Sequence, residues 1–163
     1  MYHPQGAQNT DAEYVELYNT TDSTVYLYDI EGNPWKFEDD DSPGIDYLFP
    51  PDANVPPGGY ILLVKSLDAF NVAGYPAVPP GVQMFEWVDG KLSNGGQQIT
   101  IGMPGDLEDG ERRYIAIDTI EYDDTAPWPT SADGGGDSLH RKVNTDYGND
   151  PVNWQALPPT PGW

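Results

Sequence analysis

Apolar and polar residues alternate with period two through short runs of this chain, and turn-forming residues separate the runs. In Tyr14-Val15-Glu16-Leu17-Tyr18, Val15 and Leu17 share one face of a predicted strand. Asn19 to Asp22 reads as a turn, and Thr24 to Asp29 forms a second run with Val25 and Leu27 on one face. Trp35, Phe37, Leu48 and Phe49 follow, divided by the acidic loop Glu38-Asp39-Asp40-Asp41. Pro50-Pro51 and Pro56-Pro57-Gly58-Gly59 bracket another loop. Tyr60 to Lys65 is apolar at successive positions, which predicts a central strand covered on both faces.

Ser66 to Gly74 is the best helical stretch, with Asp68 as its candidate cap and Leu67 and Phe70 on one side. Met84 to Val88 is strand-like and ends at the turn dipeptide Asp89-Gly90. Leu92 to Gly96 turns into the alternating run Gln97 to Ile101. Tyr114 to Tyr122 is the longest strand signal, but its parity breaks: Ile115 and Ile117 share one face, Ile120 and Tyr122 the other. Either a bulge sits near Asp118-Thr119 or both faces are covered. Beyond it, Pro127, Pro129 and Gly134-Gly135-Gly136 forbid regular ladders. Ser138 to Val143 reads as a last strand, and 147–163 as an irregular tail. Trp128 and Trp154 are expected to pin these long loops to the core.

About eight short strands, one scrap of helix and many Gly/Pro turns predict an all-β chain, an antiparallel β-sandwich with long Gly/Pro/Asp-rich loops. A β-barrel is the competing architecture. The unequal loops favour the sandwich. Residues 1–163 read as a single domain without internal repeats.

Composition narrows the functions. The chain holds 18 Gly and 17 Pro, about twice the ordinary share, and no Cys. Disulfide scaffolds, zinc ribbons and thiol enzymes are thereby excluded. The 27 acidic against 7 basic residues leave a net charge of −20, which opposes nucleic acid at every approach. No apolar run is long enough to span a membrane as a helix, so no direct membrane insertion is expected.

Several segments, in order from about residue 13 to the C-terminus, together resemble the lamin tail domain family. Glu13-Tyr14-Val15-Glu16-Leu17-Tyr18-Asn19 resembles its "E-(F/Y)-V-E-L-(Y/H/K)-N" strand. Pro56-Pro57-Gly58-Gly59-Tyr60 resembles "L-x-P-G-(G/E)-Y", and Leu92 to Ile99 resembles "L-S-N-(S/G)-G-(E/D)-x-(I/V)". Ile117-Asp118-Thr119-Ile120-Glu121-Tyr122 resembles "(V/I)-D-x-(V/F)-x-Y". Trp128-Pro129, Ala132-Asp133-Gly134, Gly136, Ser138-Leu139 and Thr160-Pro161-Gly162 complete the series. The resemblance implies an immunoglobulin-like sandwich of the kind found in bacterial secreted and surface proteins. It therefore implies an extracellular or cell-surface location and a non-enzymatic interaction or spacer role. Physically, Asn94-Gly95-Gly96 suits a hairpin with positive φ, Pro57-Gly58-Gly59 a sharp corner, and Asp118 a bond to a neighbouring loop backbone.

Bacterial relatives open with an apolar strand ending in a pattern such as "N-E-I-M-Y-H-P", whereas this chain starts at Met1-Tyr2-His3-Pro4. The resemblance thus implies that the opening strand lies before residue 1. A neighbouring strand would then have an unpaired edge, open to another copy of the chain.

The chemistry-bearing residues form few patterns. Ser138 and His140 could share a strand face, but no nucleophile elbow accompanies them, and the sequence predicts no enzyme and no catalytic residues. No cofactor is expected. Calcium is the alternative, through the loop holding Asp39, Asp41 and Asp46, through Asp123, Asp124, Asp133 and Asp137, or through Asn144-x-Asp146-x-Gly148-x-Asp150. Gln155 stands where an EF-hand would have its bidentate Glu, and solvated acidic loops are the preferred reading. Tyr14, Tyr18, Tyr26 and Tyr28 fall opposite Val15, Leu17, Val25 and Leu27. If they face solvent, they offer a stacking surface for a protein or a cell-surface glycan.

Overall fold

A computed structural model describes residues 1–6 and 11–163. The chain is an all-β sandwich. Its strands are β1 (Tyr14–Tyr18), β2 (Val25–Tyr26), β3 (Lys36–Asp39), β4 (Asp46–Leu48), β5 (Asn54–Val55), β6 (Tyr60–Val64), β7 (Gln83–Glu86), β8 (Gln97–Glu108), β9 (Glu111–Tyr122), β10 (Ser138–Arg141) and β11 (Trp154–Leu157). The single α-helix, α1 (Leu67–Val72), follows β6. One sheet has the order β1-β6-β7 and a second the order β4-β3-β8-β9. The pairs β2-β5 and β10-β11 form two-stranded ladders.

The run Tyr60 to Lys65 behaves as its composition predicts. Alternate residues of a strand point to opposite faces, so a run apolar throughout needs cover on both sides. Ile61 and Leu63 enter the main core with Leu27, Phe37, Phe49, Val55 and Trp87. Leu62 and Val64 enter a second cluster with Tyr14 and Phe70, which α1 lays over the outer face. These four of the five β6 side chains are fully buried, and each burial is worth about 2 kcal/mol. β6 lies between antiparallel β1 and parallel β7. Ser66, rather than Asp68, caps α1: its side chain accepts the Ala69 amide, while Asp68 sits in the first turn. The three-residue spacing from Ser66 Oγ to the Ala69 N–H is what an N-cap requires.

The parity break in β9 is a bulge. Ile101 pairs with Asp118 and Gly102 with Ala116, which leaves Ile117 as the extra residue. Ile120 therefore packs on the core, while Ile115 and Ile117 are half exposed. β8 runs well past Ile101 to meet β9 through the two-residue turn Asp109-Gly110, with φ of +54° and +87°. Two positive φ values match the twist of a tight hairpin, which Asp-Gly favours. The stretch 147–163 is not wholly irregular: Trp154–Leu157 pairs with β10. Trp154 stacks near Trp128 at 5.9 Å and donates its indole N–H to the Gly148 carbonyl at 2.7 Å, pinning the long loops.

Candidate functional site

The first strand carries the most distinctive geometry. Antiparallel pairing alternates residues whose backbone groups face the partner with residues whose groups face away. The Lys65 amide bonds the Glu13 carbonyl and the Asn19 amide bonds the Gly59 carbonyl, so the odd-numbered residues of β1 face β6. Tyr14, Glu16 and Tyr18 direct their N–H and C=O outward. Met1 satisfies Tyr14 alone: its amino group donates to the Tyr14 carbonyl at 3.0 Å, and the Tyr14 amide donates to the Met1 carbonyl at 3.0 Å. This double exchange is an antiparallel rung. Among the described residues, no hydrogen bond engages the outward backbone groups of Glu16 and Tyr18.

The same parity holds on β10. Lys142 bonds the Asn153 carbonyl at 2.8 Å, so Ser138, His140 and Lys142 face β11. Leu139 and Arg141 present their backbone groups on the other side, again without a hydrogen-bonded partner among the described residues. Both open edges border one groove of about 790 Å³. Its floor is the open side of the main core, including Val15, Leu17, Leu27, Ile99, Ile101 and Trp154.

One end of the groove gathers titratable groups. Burial lowers the Met1 amino group to about 6, against the attraction of Glu16 and Glu13. Burial pushes the Glu16 carboxyl up to about 7, opposed by the Gly162 amide, which donates to Glu16 Oε1 at 3.1 Å, and by the Met1 charge. Glu13, which does not line the groove, is likewise raised to about 7 by burial, and its Oε2 accepts the Leu92 amide at 2.7 Å. His140 is lowered, first by burial and then by the Met1 ammonium. Its Nε2 lies 2.7 Å from Ser138 Oγ. Ser138 is buried, so its hydroxyl serves as a fixed partner of the imidazole at the groove wall.

The four tyrosines do not form one row. Tyr14 is only 2% exposed and packs edge-on against Phe70 and Tyr75 beneath α1, because the outer face of β1 is covered there. Tyr18 stacks at 4.8 Å on Tyr60 beside the groove. Tyr26 is 54% exposed and pairs at 5.5 Å with Tyr28, which is half-buried.

The acidic candidates are dispersed. Asp39 Oδ1 accepts the Asp41 amide, Asp46 pairs with Lys36 at 3.1 Å, and Asp150 accepts the Val152 amide. Asp146 contributes its backbone carbonyl to Arg141. Among the described residues, no three His, Asp or Glu side chains gather as a metal would require. Asp118 bonds the Arg141 guanidinium at 2.6 Å rather than a loop backbone, because the bulge beside it aims the carboxylate at β10. Arg141 also donates to the Asp146 carbonyl and stacks over Trp154 at 4.9 Å.

The sequence predicts one unpaired strand edge but neither its place at Glu16 and Tyr18 nor a second edge at Leu139 and Arg141. Strand parity was available for β1, but β10's free edge depends on β11, which the proline-flanked sequence around Trp154 conceals. No helix among the described residues is long and apolar enough to cross a membrane. No known family model matches the chain, and no curated protein matches it.

Proposed function

We propose that this chain is a non-enzymatic interaction or spacer module, an immunoglobulin-like domain of lamin-tail type within a larger bacterial extracellular or surface protein. It binds through its sheet edge and loops. The observation that carries the reading is the pair of unpaired backbone edges on β1 and β10 beside an apolar groove. Unpaired strand edges are templates for other chains, and a strand edge over an apolar floor is a recognised mode of polypeptide capture. The net charge of −20 favours neutral or basic polypeptides over nucleic acid. The segments that resemble the lamin tail have structural work: Glu13, Glu16 and Asn19 each bond distant backbone.

The test is selection from a displayed peptide library on the intact chain, with a glycan array in parallel. The expected result is enrichment of peptides and no enriched glycan. A failure to enrich any polypeptide, at any surface, overturns the reading.

One observation supports a second reading. Exposed Tyr26, paired with half-buried Tyr28, is a platform on which a sugar ring could stack, as in a carbohydrate-binding module. A glycan hit lost on Tyr26→Ala supports it.

A further inference from the structure

We propose that Asn94, in the turn that opens β8, is a site of spontaneous covalent modification in the folded protein: the Gly95 backbone nitrogen attacks the Asn94 side-chain amide, and water converts the resulting imide into aspartyl and isoaspartyl forms. The reaction is independent of any binding role of the chain. Three observations carry it.

The first is the sequence around each asparagine. Asn94 is the only Asn followed by Gly. Asn9, Asn19, Asn54, Asn71 and Asn144 precede Thr or Val, whose branched side chains crowd the attacking nitrogen. Pro34, after Asn33, has no N–H to lose. Asn149 and Asn153 are held by their own bonds: Asn149 Oδ1 accepts the Glu121 amide at 2.7 Å, and the Asn153 side chain donates to the Tyr147 carbonyl at 2.9 Å.

The second is freedom at the reacting atoms. Asn94 and Gly95 are both exposed, at the tip of the turn. Among the described residues, no hydrogen bond holds the Asn94 side chain. The Gly95 amide donates to Ser93 Oγ at 3.3 Å, longer than the ~2.9–3.0 Å usual for an N–H···O bond, so it is weakly held. A Cβ placed on Gly95 would meet nothing within 4 Å. Glycine also adopts the widest range of backbone angles, so local rotation alone brings nitrogen and carboxamide together.

The third is anchorage on either side of that tip. The Leu92 amide bonds Glu13 Oε2 at 2.7 Å, the Tyr122 hydroxyl donates to the Ser93 carbonyl at 2.8 Å, and Gln97 pairs with Tyr122 across the ladder. An aspartyl link keeps the length of main chain between these anchors. An isoaspartyl link adds a methylene to it, which strains the turn.

The chemistry needs only water. Hydroxide removes the Gly95 N–H proton, the nitrogen bonds to Asn94 Cγ, and the carboxamide nitrogen takes a proton from water and leaves as ammonia. Water then opens the five-membered imide. Addition at Cγ breaks the new bond and leaves an ordinary aspartyl link. Addition at the main-chain carbonyl breaks the original peptide bond, so the chain runs through Cβ and Cγ as isoaspartyl. Each product adds one carboxylate to the chain.

The test incubates the intact, folded chain at mildly acid and mildly alkaline pH, beside a synthetic peptide spanning residues 91–99. Electron-transfer mass spectrometry of digests locates the change of amide to acid and separates aspartyl from isoaspartyl. The change should gather at Asn94, quicken with pH, and proceed in the folded chain at a rate of the same order as in the free peptide. Gly95→Ala, which the open space accommodates, should slow it several-fold without altering the melting temperature of the fresh protein. The aged chain, rich in isoaspartate, should melt below a fresh Asn94→Asp protein. Modification seen only in denaturant, spread evenly over the asparagines, or as fast in Gly95→Ala overturns the site. Equal melting of the aged chain and Asn94→Asp overturns the strained turn.

Discussion

The Glu13 carboxylate accepts the Leu92 amide at 2.7 Å, joining residues 79 apart, and three positions later Glu16 accepts the Gly162 amide at 3.1 Å. The first strand thus ties down the approach to β8 and the closing turn of the chain. The hydrogen bonds favour the carboxylate, but burial opposes it more strongly at both residues.

Stability should therefore fall as pH rises from about 4.5 to about 7. Glu13 and Glu16 ionise near 4.5 when unfolded and near 7 when folded, so the folded state holds more protons across this window. The Met1 amino group acts oppositely between about 6 and 8, where the unfolded form is protonated and the folded form is not. Glu13→Gln keeps an acceptor for the Leu92 amide and cannot ionise. It should match the parent at pH 4 and exceed it by on the order of 3 kcal/mol at pH 8. Chemical denaturation across pH 4–8 checks this, and equal curves for the two proteins would contradict it.

Asn19 fastens the corner between β1 and the loop before β6. Its amide donates to the carbonyls of Ser23, Val55 and Pro56, and its Oδ1 accepts from the Thr21 amide and hydroxyl. Asn19→Ala removes all five of these hydrogen bonds, although Thr21 Oγ still bonds the Ser23 carbonyl and the Gly59 amide still bonds the Pro56 carbonyl, and should cost about 2–4 kcal/mol. Asn19→Asp restores the acceptor but faces three carbonyls with a charge. It should be no more stable than Asn19→Ala at neutral pH. Urea midpoints of the three proteins decide the matter.

Arg141 links β10 to the β9 bulge through Asp118 and to the tail through Trp154. Its side chain is only 17% exposed while that of Asp118 is 47% exposed, so the pair is partly screened. A double-mutant cycle with Arg141→Ala and Asp118→Asn should give a coupling of about 1 kcal/mol. Arg141→Ala should lose more than Asp118→Asn, because it also removes the Trp154 stacking and the Asp146 bond. Thermal melts in low and high salt should show the coupling shrinking with salt.

Gly96 opens β8 with φ of +98°, and a Cβ there would lie 2.6 Å from the Tyr122 carbonyl oxygen. Gly96→Ala should destabilise by about 2 kcal/mol or more, because strain and clash add. Gly110 has φ of +87° with open space around it, so Gly110→Ala should cost about 1 kcal/mol. Equal melting temperatures for these two variants would be the contrary result.

The strands with a strong period are legible in the sequence. β1, β6 and the second half of β9 declared their buried faces because alternation and continuous apolarity are local properties. The β9 parity slip was equally visible, and the bulge at Ile117 is its cause. The β8 extension and its turn could have been seen from Asp109-Gly110, which separates two strand signals. β11 could not, since prolines on both sides of Trp154–Leu157 mask a four-residue strand. Of the four tyrosines, Tyr14 was misplaced because the outer face of β1 carries α1, a cover supplied by residues fifty and more positions away.

The sequence alone determined the all-β class, the turns, the central two-sided strand and the acidic surface, because each follows from residue type and its near neighbours. Tertiary structure decided which backbone edges remained unpaired, which carboxyls were buried against distant amides, and that β1 and β10 border one groove. Those properties depend on hydrogen-bond partners and burial across the whole chain, and spacing along a strand does not carry them.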